Sequence, residues 1–217
     1  MRNLLPLFVD LSGRDVLLVG GGRVAAGKLQ QLLAAGATVR VVSPLVVAEM
    51  ASTPNVEIAL RKFQSSDLDG AWLVVAAATS DVNRQVADAA EERRIFVNAV
   101  DDPPNATAYL SGVVRRDDVT IAISTGGDAP ALTALIREAL NAVLPNDLAD
   151  WVRAARTQRR EWRRNAVPME ARKPLLLDAL NAIYEPRRAK GFVPGEAVAE
   201  AGRAEVPWLK APEDSWL

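Results

Sequence analysis

The chain has 217 residues, is 49% hydrophobic and 24% charged, and sets 26 basic residues against 27 acidic ones for a net charge of −1. This composition supports a packed core in one large domain or two small ones and offers no bulk charge to attract nucleic acid or anionic lipid. Cysteine and histidine are both absent. That excludes disulfides, thiolate nucleophiles, the usual zinc ligands and imidazole catalysis, and leaves carboxylates as the leading groups for proton chemistry or metal handling. The opening MRNLLPLFVDLSGRD suits neither a signal nor a transit peptide, and no apolar run approaches about 18 residues, so a cytoplasmic, membrane-free protein is expected.

In chain order, DVLLVG (15–20) reads as a strand, followed by Ala25, Leu29, Leu32 and Leu33 at helical spacing. TVRVVS (38–43), AWLVVAAA (71–78) and IFVNAV (95–100) are short, Val-rich and nearly continuous in apolar character, as strands buried on both faces should be. Between the last two, Ser80 or Asp81 is expected to cap a helix carrying Val82, Val86 and Ala89, the crossover that a parallel pair needs. Together these segments predict an α/β, doubly wound parallel sheet. Residues 108–124 read as a hairpin with Arg115, Arg116, Asp117 and Asp118 at its turn. Asp128 and Pro130 then open a helix striped with Leu132, Leu135, Ile136, Ala139, Leu140 and Val143 and ended by Pro145. Further helices are expected over 147–165 and 169–185, and a partly ordered tail rich in Pro, Gly, Ala and Glu thereafter, with Trp208 and Trp216 as candidate anchors.

GGGRVA (20–25) follows the first strand and opens the first helix, the G-x-G-x-x-A form of the dinucleotide fingerprint in its required context. Gly20, Gly21, Gly22, Arg23 and Val24 are therefore expected to face a cofactor, with Gly22 admitting the pyrophosphate and the helix N-terminus offering N–H groups to it. A purely structural strand-to-helix turn is the alternative. The second strand ends in Ser43 and Pro44 rather than the acid that usually holds the ribose. Ser43 could bond the 2′-hydroxyl, which favours NAD, and NADP ranks second. Ala77, Ala78 and Thr79 end the third strand, where a cofactor crosses such a sheet.

LPLFVDLSGRDVLLVGGGRVAAGK, VVAAATSDVNRQVADAAEERRIFVNAVDDP and IAISTGGDAPALTALIRE, taken together and in this order, resemble the precorrin-2 dehydrogenase family, also found as the N-terminal module of siroheme synthases. The resemblance covers about residues 3–165. It implies an enzyme that oxidises precorrin-2 to sirohydrochlorin with NAD, in some members also inserting ferrous iron at the same site, and it implies a homodimer. It makes Asp101 the catalytic carboxylate and a possible iron ligand, with Asn98, expected at the substrate, and Val100 completing the family's NxVD motif. Asp102 stands where other members often carry a small residue, and its role is open; Pro103 and Pro104 are expected to bias the two acids before them toward extended geometry and to stop the strand. STGGDAP resembles the family's SSGGxSP segment with Thr125 in place of the second serine. Ser124, Thr125, Gly126 and Gly127 are then candidates for binding a substrate carboxylate, and Thr125 for phosphorylation, against a plain helix-capping role.

On this reading residues 1–112 form the Rossmann-like NAD-binding domain, 113–146 a dimerisation and substrate segment, 147–185 a C-terminal helical domain and 186–217 the tail. The stretch 151–173 carries eight cations against two anions, which suits attraction of a polyanionic tetrapyrrole as well as an ordinary solvated helix face. A methyltransferase domain does not fit in this length, so a separate uroporphyrinogen methyltransferase upstream is expected. A non-catalytic sensor that binds NAD and a tetrapyrrole is the rival function.

Overall fold

A computed structural model of the chain describes residues 4–188. The expected tail beyond 188, including Trp208 and Trp216, lies outside the described residues. The described residues divide into two compact units: one comprises residues 4–110 with Ser124–Ala129, and the other Ser111–Ile123 with residues 130–188.

In the first unit, β1 (Asp15–Val19), α1 (Arg23–Ala34), β2 (Thr38–Val42), the short α2 (Ala48–Ala51), β3 (Glu57–Ala59), β4 (Leu73–Ala76), α3 (Ser80–Glu92) and β5 (Phe96–Ala99) follow in order. The five strands are all parallel, in the order β3-β2-β1-β4-β5. Alternation explains how one sheet buries both faces. Val16 and Leu18 of β1, with Val39 and Val41 of β2, join Ala25, Leu29 and Leu32 of α1 in one core cluster. Leu17 and Val19, with Val74 and Ala76 of β4, join Val86 and Ala90 of α3 in the other. Full burial of a single side chain such as Leu29 contributes about 1.5–3 kcal/mol.

The four apolar runs form strands as expected, but β3 was not among the predicted elements. It is a three-residue edge strand with Glu57 exposed and Ile58 and Ala59 only partly covered, so it shows neither an apolar run nor a full alternation. The α3 cap also differs from expectation: Thr79 is the N-cap residue and makes no side-chain cap bond, while Ser80 is already helical.

In the second unit, β6 (Gly112–Arg116) and β7 (Val119–Ile123) pair antiparallel, with Asp117 and Asp118 alone as the turn and Asp117 at φ 51. Arg115 and Arg116, expected in the turn, belong to β6. Helices α4 (Pro130–Val143), α5 (Leu148–Arg164) and α6 (Met169–Arg188) follow, α6 continuing past the expected end at 185. Arg116 binds the end of α4: its Nη1 donates to the Leu144 carbonyl and to Asn146 Oδ1 at 3.2 Å, its Nη2 to the Asn141 carbonyl at 3.0 Å. No residue of α4 is fully buried, and Leu132, Leu135 and Val143 stay 44–54% exposed. Along α5, Arg156 pairs with Asp118 at 3.0 Å and Arg153 with Asp150. Trp162 is buried and Trp151 donates to the Tyr184 hydroxyl. No described helix is long and apolar enough to cross a membrane.

Candidate active site

Parallel pairing brings the carboxyl ends of the strands to one rim: Val19 lies beside Val42 on one side and Ala76 on the other, and Ala76 beside Ala99. The ladder continues one residue beyond each strand, with Gly20 N–H donating to the Val42 carbonyl at 3.0 Å, Ala77 N–H to Val19 at 2.8 Å and Val100 N–H to Ala76 at 2.8 Å. Gly20, Ser43, Ala77 and Val100 are thus fixed as the rim where open parallel sheets bind ligands.

The three glycines of the turn do three different things. Gly20 has φ 127, and a side chain there would stand 2.2 Å from the Ala77 carbonyl oxygen, so only glycine allows β1 to turn this close to β4. A side chain at Gly21 would strike the Leu45 carbonyl oxygen at 1.9 Å, because this residue is seated on the β2–α2 connection, where Val47 N–H donates to the Gly21 carbonyl at 2.8 Å. In front of Gly22 there is no protein atom within 4 Å. Gly22 is the N-cap of α1, which has no side-chain cap and no acid in its first turn. The open space and uncapped N–H groups fit the pyrophosphate of a dinucleotide. Arg23 and Val24 are exposed on the first turn.

Ser43 is 8% exposed, and its hydroxyl proton is already given to the Leu45 carbonyl at 2.7 Å. That bond fixes its oxygen under Gly21, where an added Cβ would stand 2.8 Å from it, and leaves the oxygen's lone pairs to accept from a ribose hydroxyl, while Pro44 is exposed beside it.

Val24, Ala77, Ala78, Ser80, Asn83, Val100, Asp101 and Asp102 line one cleft of about 300 Å³. The structure thus joins the glycine turn, the end of β4 and Asp101. Asp101 is exposed with φ 54. This corrects the expectation that Pro103 and Pro104 hold both acids extended: the proline restriction reaches only the residue directly before it, Asp102 at φ −138 and ψ 67, and Pro103–Asn105 form a 3₁₀ turn. Asp102 Oδ2 accepts from Ser80 Oγ at 3.2 Å and lies 3.5 Å from Asn83 Nδ2. Asn105 Nδ2 donates to both Asp102 oxygens at 3.0 and 2.9 Å.

Asn98, expected at the substrate, is 6% exposed, and its Nδ2 donates to the Ala108 carbonyl at 3.0 Å. It holds the returning chain against β5. Gly127 lies against Pro103 and Tyr109, where a side chain would meet both at 3.4 Å, so the Ser124–Gly127 loop sits beside the turn that follows the two acids. Ser124 Oγ accepts from Gly126 N–H at 3.2 Å and Thr125 Oγ1 from Ala129 N–H at 3.3 Å, the capping contacts of the plainer reading. No group of three or more Asp, Glu, His or Cys residues converges among the described residues.

Sequence reasoning missed Asn83 and Lys28. Asn83 is 2% exposed on the α3 face that carries Val86 and Ala90, and a polar residue in that apolar stripe was a readable signal. Lys28 follows Val24 by one helical turn of α1. Burial pushes its ammonium below the ordinary 10.5, and the charge of Asp101 partly opposes that shift.

Residues 7–112 match the family described as "Putative NAD(P)-binding", and residues 116–142 the family described as "Sirohaem biosynthesis protein central". The chain is 39% identical over 193 residues to a siroheme synthase of Photorhabdus laumondii, covering 87% of this chain and 41% of that protein. It is 43% identical over 148 residues to siroheme synthase 3 of Aeromonas hydrophila, covering 66% and 32% respectively. The chain thus spans about two fifths or less of the length of these curated relatives. A solved structure described as SirC, precorrin-2 dehydrogenase, superposes with a TM-score of 0.63 at 23% identity, covering 92% of this chain and all of that one. The same fold, the two family segments in order and these identities agree: the chain belongs to the family formed by the matching NAD(P)-binding and central region of the siroheme synthases.

Proposed function

We propose that this chain is an NAD-dependent dehydrogenase that oxidises precorrin-2 to sirohydrochlorin, with Asp101 as the general base. One observation carries the reading: Asp101 opens into the same cleft as Val24, Ala77 and Ala78, on a rim whose Gly22 is left clear for a pyrophosphate. Bound NAD would supply the hydride acceptor. The chain's own part is to grip the cofactor's phosphates with the uncapped start of α1, to wall the cleft with small apolar side chains and to remove the macrocycle's proton through the Asp101 carboxylate. Hydride and proton together account for the two electrons lost. The Ser124–Gly127 loop beside Pro103 and Tyr109 supports its assignment as a wall on the tetrapyrrole side.

Ferrous iron is the proposed second substrate, Asp101 being the carboxylate that would receive the metal and take up ring protons. A second copy of the chain is the proposed cover for Leu132, Leu135 and Val143, and the basic stretch 151–173 the proposed source of attraction for a polycarboxylate.

The test is incubation of purified protein with precorrin-2 and NAD, following NADH and the sirohydrochlorin spectrum, then ferrous iron anaerobically. Asp101→Asn should lower turnover by about 100-fold or more while leaving NAD binding intact. Binding of both ligands without conversion by the wild type would establish the sensor instead, and near-normal turnover by Asp101→Asn would remove the catalytic assignment.

A further inference from the structure

Two adjacent acids enter the cleft, and their surroundings differ in kind. Asp101 is exposed, its carboxylate accepts no hydrogen bond among the described residues, and its backbone is left-handed. Asp102 is half-buried, and its oxygens face three donors on two different elements: Ser80 and Asn83 of α3, and Asn105 of the following 3₁₀ turn. We propose that Asp102 is a positioning residue: its carboxylate ties the loop after β5 to the first turn of α3 and so holds Asp101 in the left-handed conformation that presents it to the cleft. The inference rests on the role given to Asp101 above.

The constraint works because Asp101 lies between two fixed points. On one side Val100 N–H is bonded to the Ala76 carbonyl at 2.8 Å, the last rung of the sheet. On the other, Asp102 is held by its side chain, by Asn105 N–H donating to its carbonyl at 3.1 Å, and by Pro103, which bars it from the helical region. Asn83 extends the tie to the end of β4, since its Oδ1 accepts from Ala78 N–H at 3.2 Å. Ala78, Ser80, Asn83 and Asp102 all line the cleft, so the tie runs through its wall. A residue with two fixed neighbours and a left-handed backbone has little freedom to turn its side chain elsewhere, and aspartate tolerates that backbone better than most residues. Asp102 itself, with its lone pairs directed at three donors, is poorly placed to act as a second base.

The experiment compares Asp102→Ala and Asp102→Asn with the wild type in the precorrin-2 assay and by NMR of the full chain. Asp102→Ala should lower kcat by about 10-fold or more with KM for NAD within about 2-fold. Asp102→Asn keeps an oxygen for Asn105 and Ser80 and should recover most of that loss. The strong intraresidue amide-to-Hα NOE that a positive φ gives Asp101 should weaken in Asp102→Ala and persist in Asp102→Asn. Wild-type kcat together with an unchanged NOE in Asp102→Ala would overturn the proposal. So would an Asp102→Asn variant as inactive as Asp101→Asn, which would make the second carboxylate a participant in proton transfer. A wild type without turnover would count against the dehydrogenase reading alone, and the NOE comparison would still decide the positioning role.

Discussion

Replacing Gly22 by alanine separates the cofactor role of the glycine turn from its structural role. Gly22 has φ −82 and ψ −176, a conformation alanine adopts, and an added methyl group would meet no protein atom within 4 Å. The fold should lose only the N-cap preference of glycine over alanine, about 1 kcal/mol or less, which lowers the melting temperature by a few degrees. A dinucleotide seated there meets the methyl group where its pyrophosphate should approach. Loss of one hydrogen bond to a charged group is worth about 1.5–3 kcal/mol, or roughly a 10- to 150-fold rise in Kd for NAD. Titration calorimetry with NAD, alongside thermal unfolding, reads both effects. An unchanged Kd in a folded Gly22→Ala protein would refute the placement of the pyrophosphate. Gly21→Ala is the contrasting case: its methyl would sit 1.9 Å from the Leu45 carbonyl oxygen, so binding and stability should fall together.

Asp67 should make the first unit acid-sensitive. It is 5% exposed, receives both Arg61 guanidinium nitrogens at 2.8 and 2.5 Å and Gln64 N–H at 2.8 Å, and the Arg61 bonds hold its carboxyl below the ordinary 3.8. A carboxyl whose folded value is depressed contributes stability that is full above its unfolded value and is lost as pH falls through the folded one. Asp67→Asn should therefore be less stable than wild type at pH 7, by about 1–3 kcal/mol, with the gap closing below about pH 4. A gap that stays constant on acidification, measured by thermal unfolding at each pH, would contradict this. Arg116→Met should free the carbonyl end of α4, cost about 1–2 kcal/mol and speed amide exchange at Leu144. Unchanged exchange there would show that the contacts contribute nothing.

Most of the sheet was legible because strands covered on both faces must be apolar throughout, as Val16–Val19 and Val74–Ala76 are. β3 was not legible, because an edge strand needs neither property. The glycine turn could be read for its chemistry, but not for its division of labour: nothing in GGG says that Gly21 is pressed on Leu45 while Gly22 faces open space. Ser43 was legible as a hydroxyl at the strand end but not in its direction: its proton is given to the Leu45 carbonyl, so it is as an acceptor that it meets a ribose hydroxyl. Asp101 was legible as a residue and not as a conformation, because the two prolines directed attention to local bias while its left-handed backbone belongs to a loop held by α3.

The strand order has a consequence for how the cleft comes into being. β1 is flanked by β2, its near neighbour in sequence, and by β4, which is made only after the whole β2–β3 excursion has been completed. The Gly20 turn and its first helix can therefore form early, while the wall supplied by Ala77 and the residues after β5 must wait for a long loop to close, the slow kind of event in folding. A growing or partly unfolded chain then carries the glycine turn without the rim that completes it. Affinity for the dinucleotide becomes a mark of the finished unit, and an abundant nucleotide pool would shift that unit's last folding equilibrium toward completion.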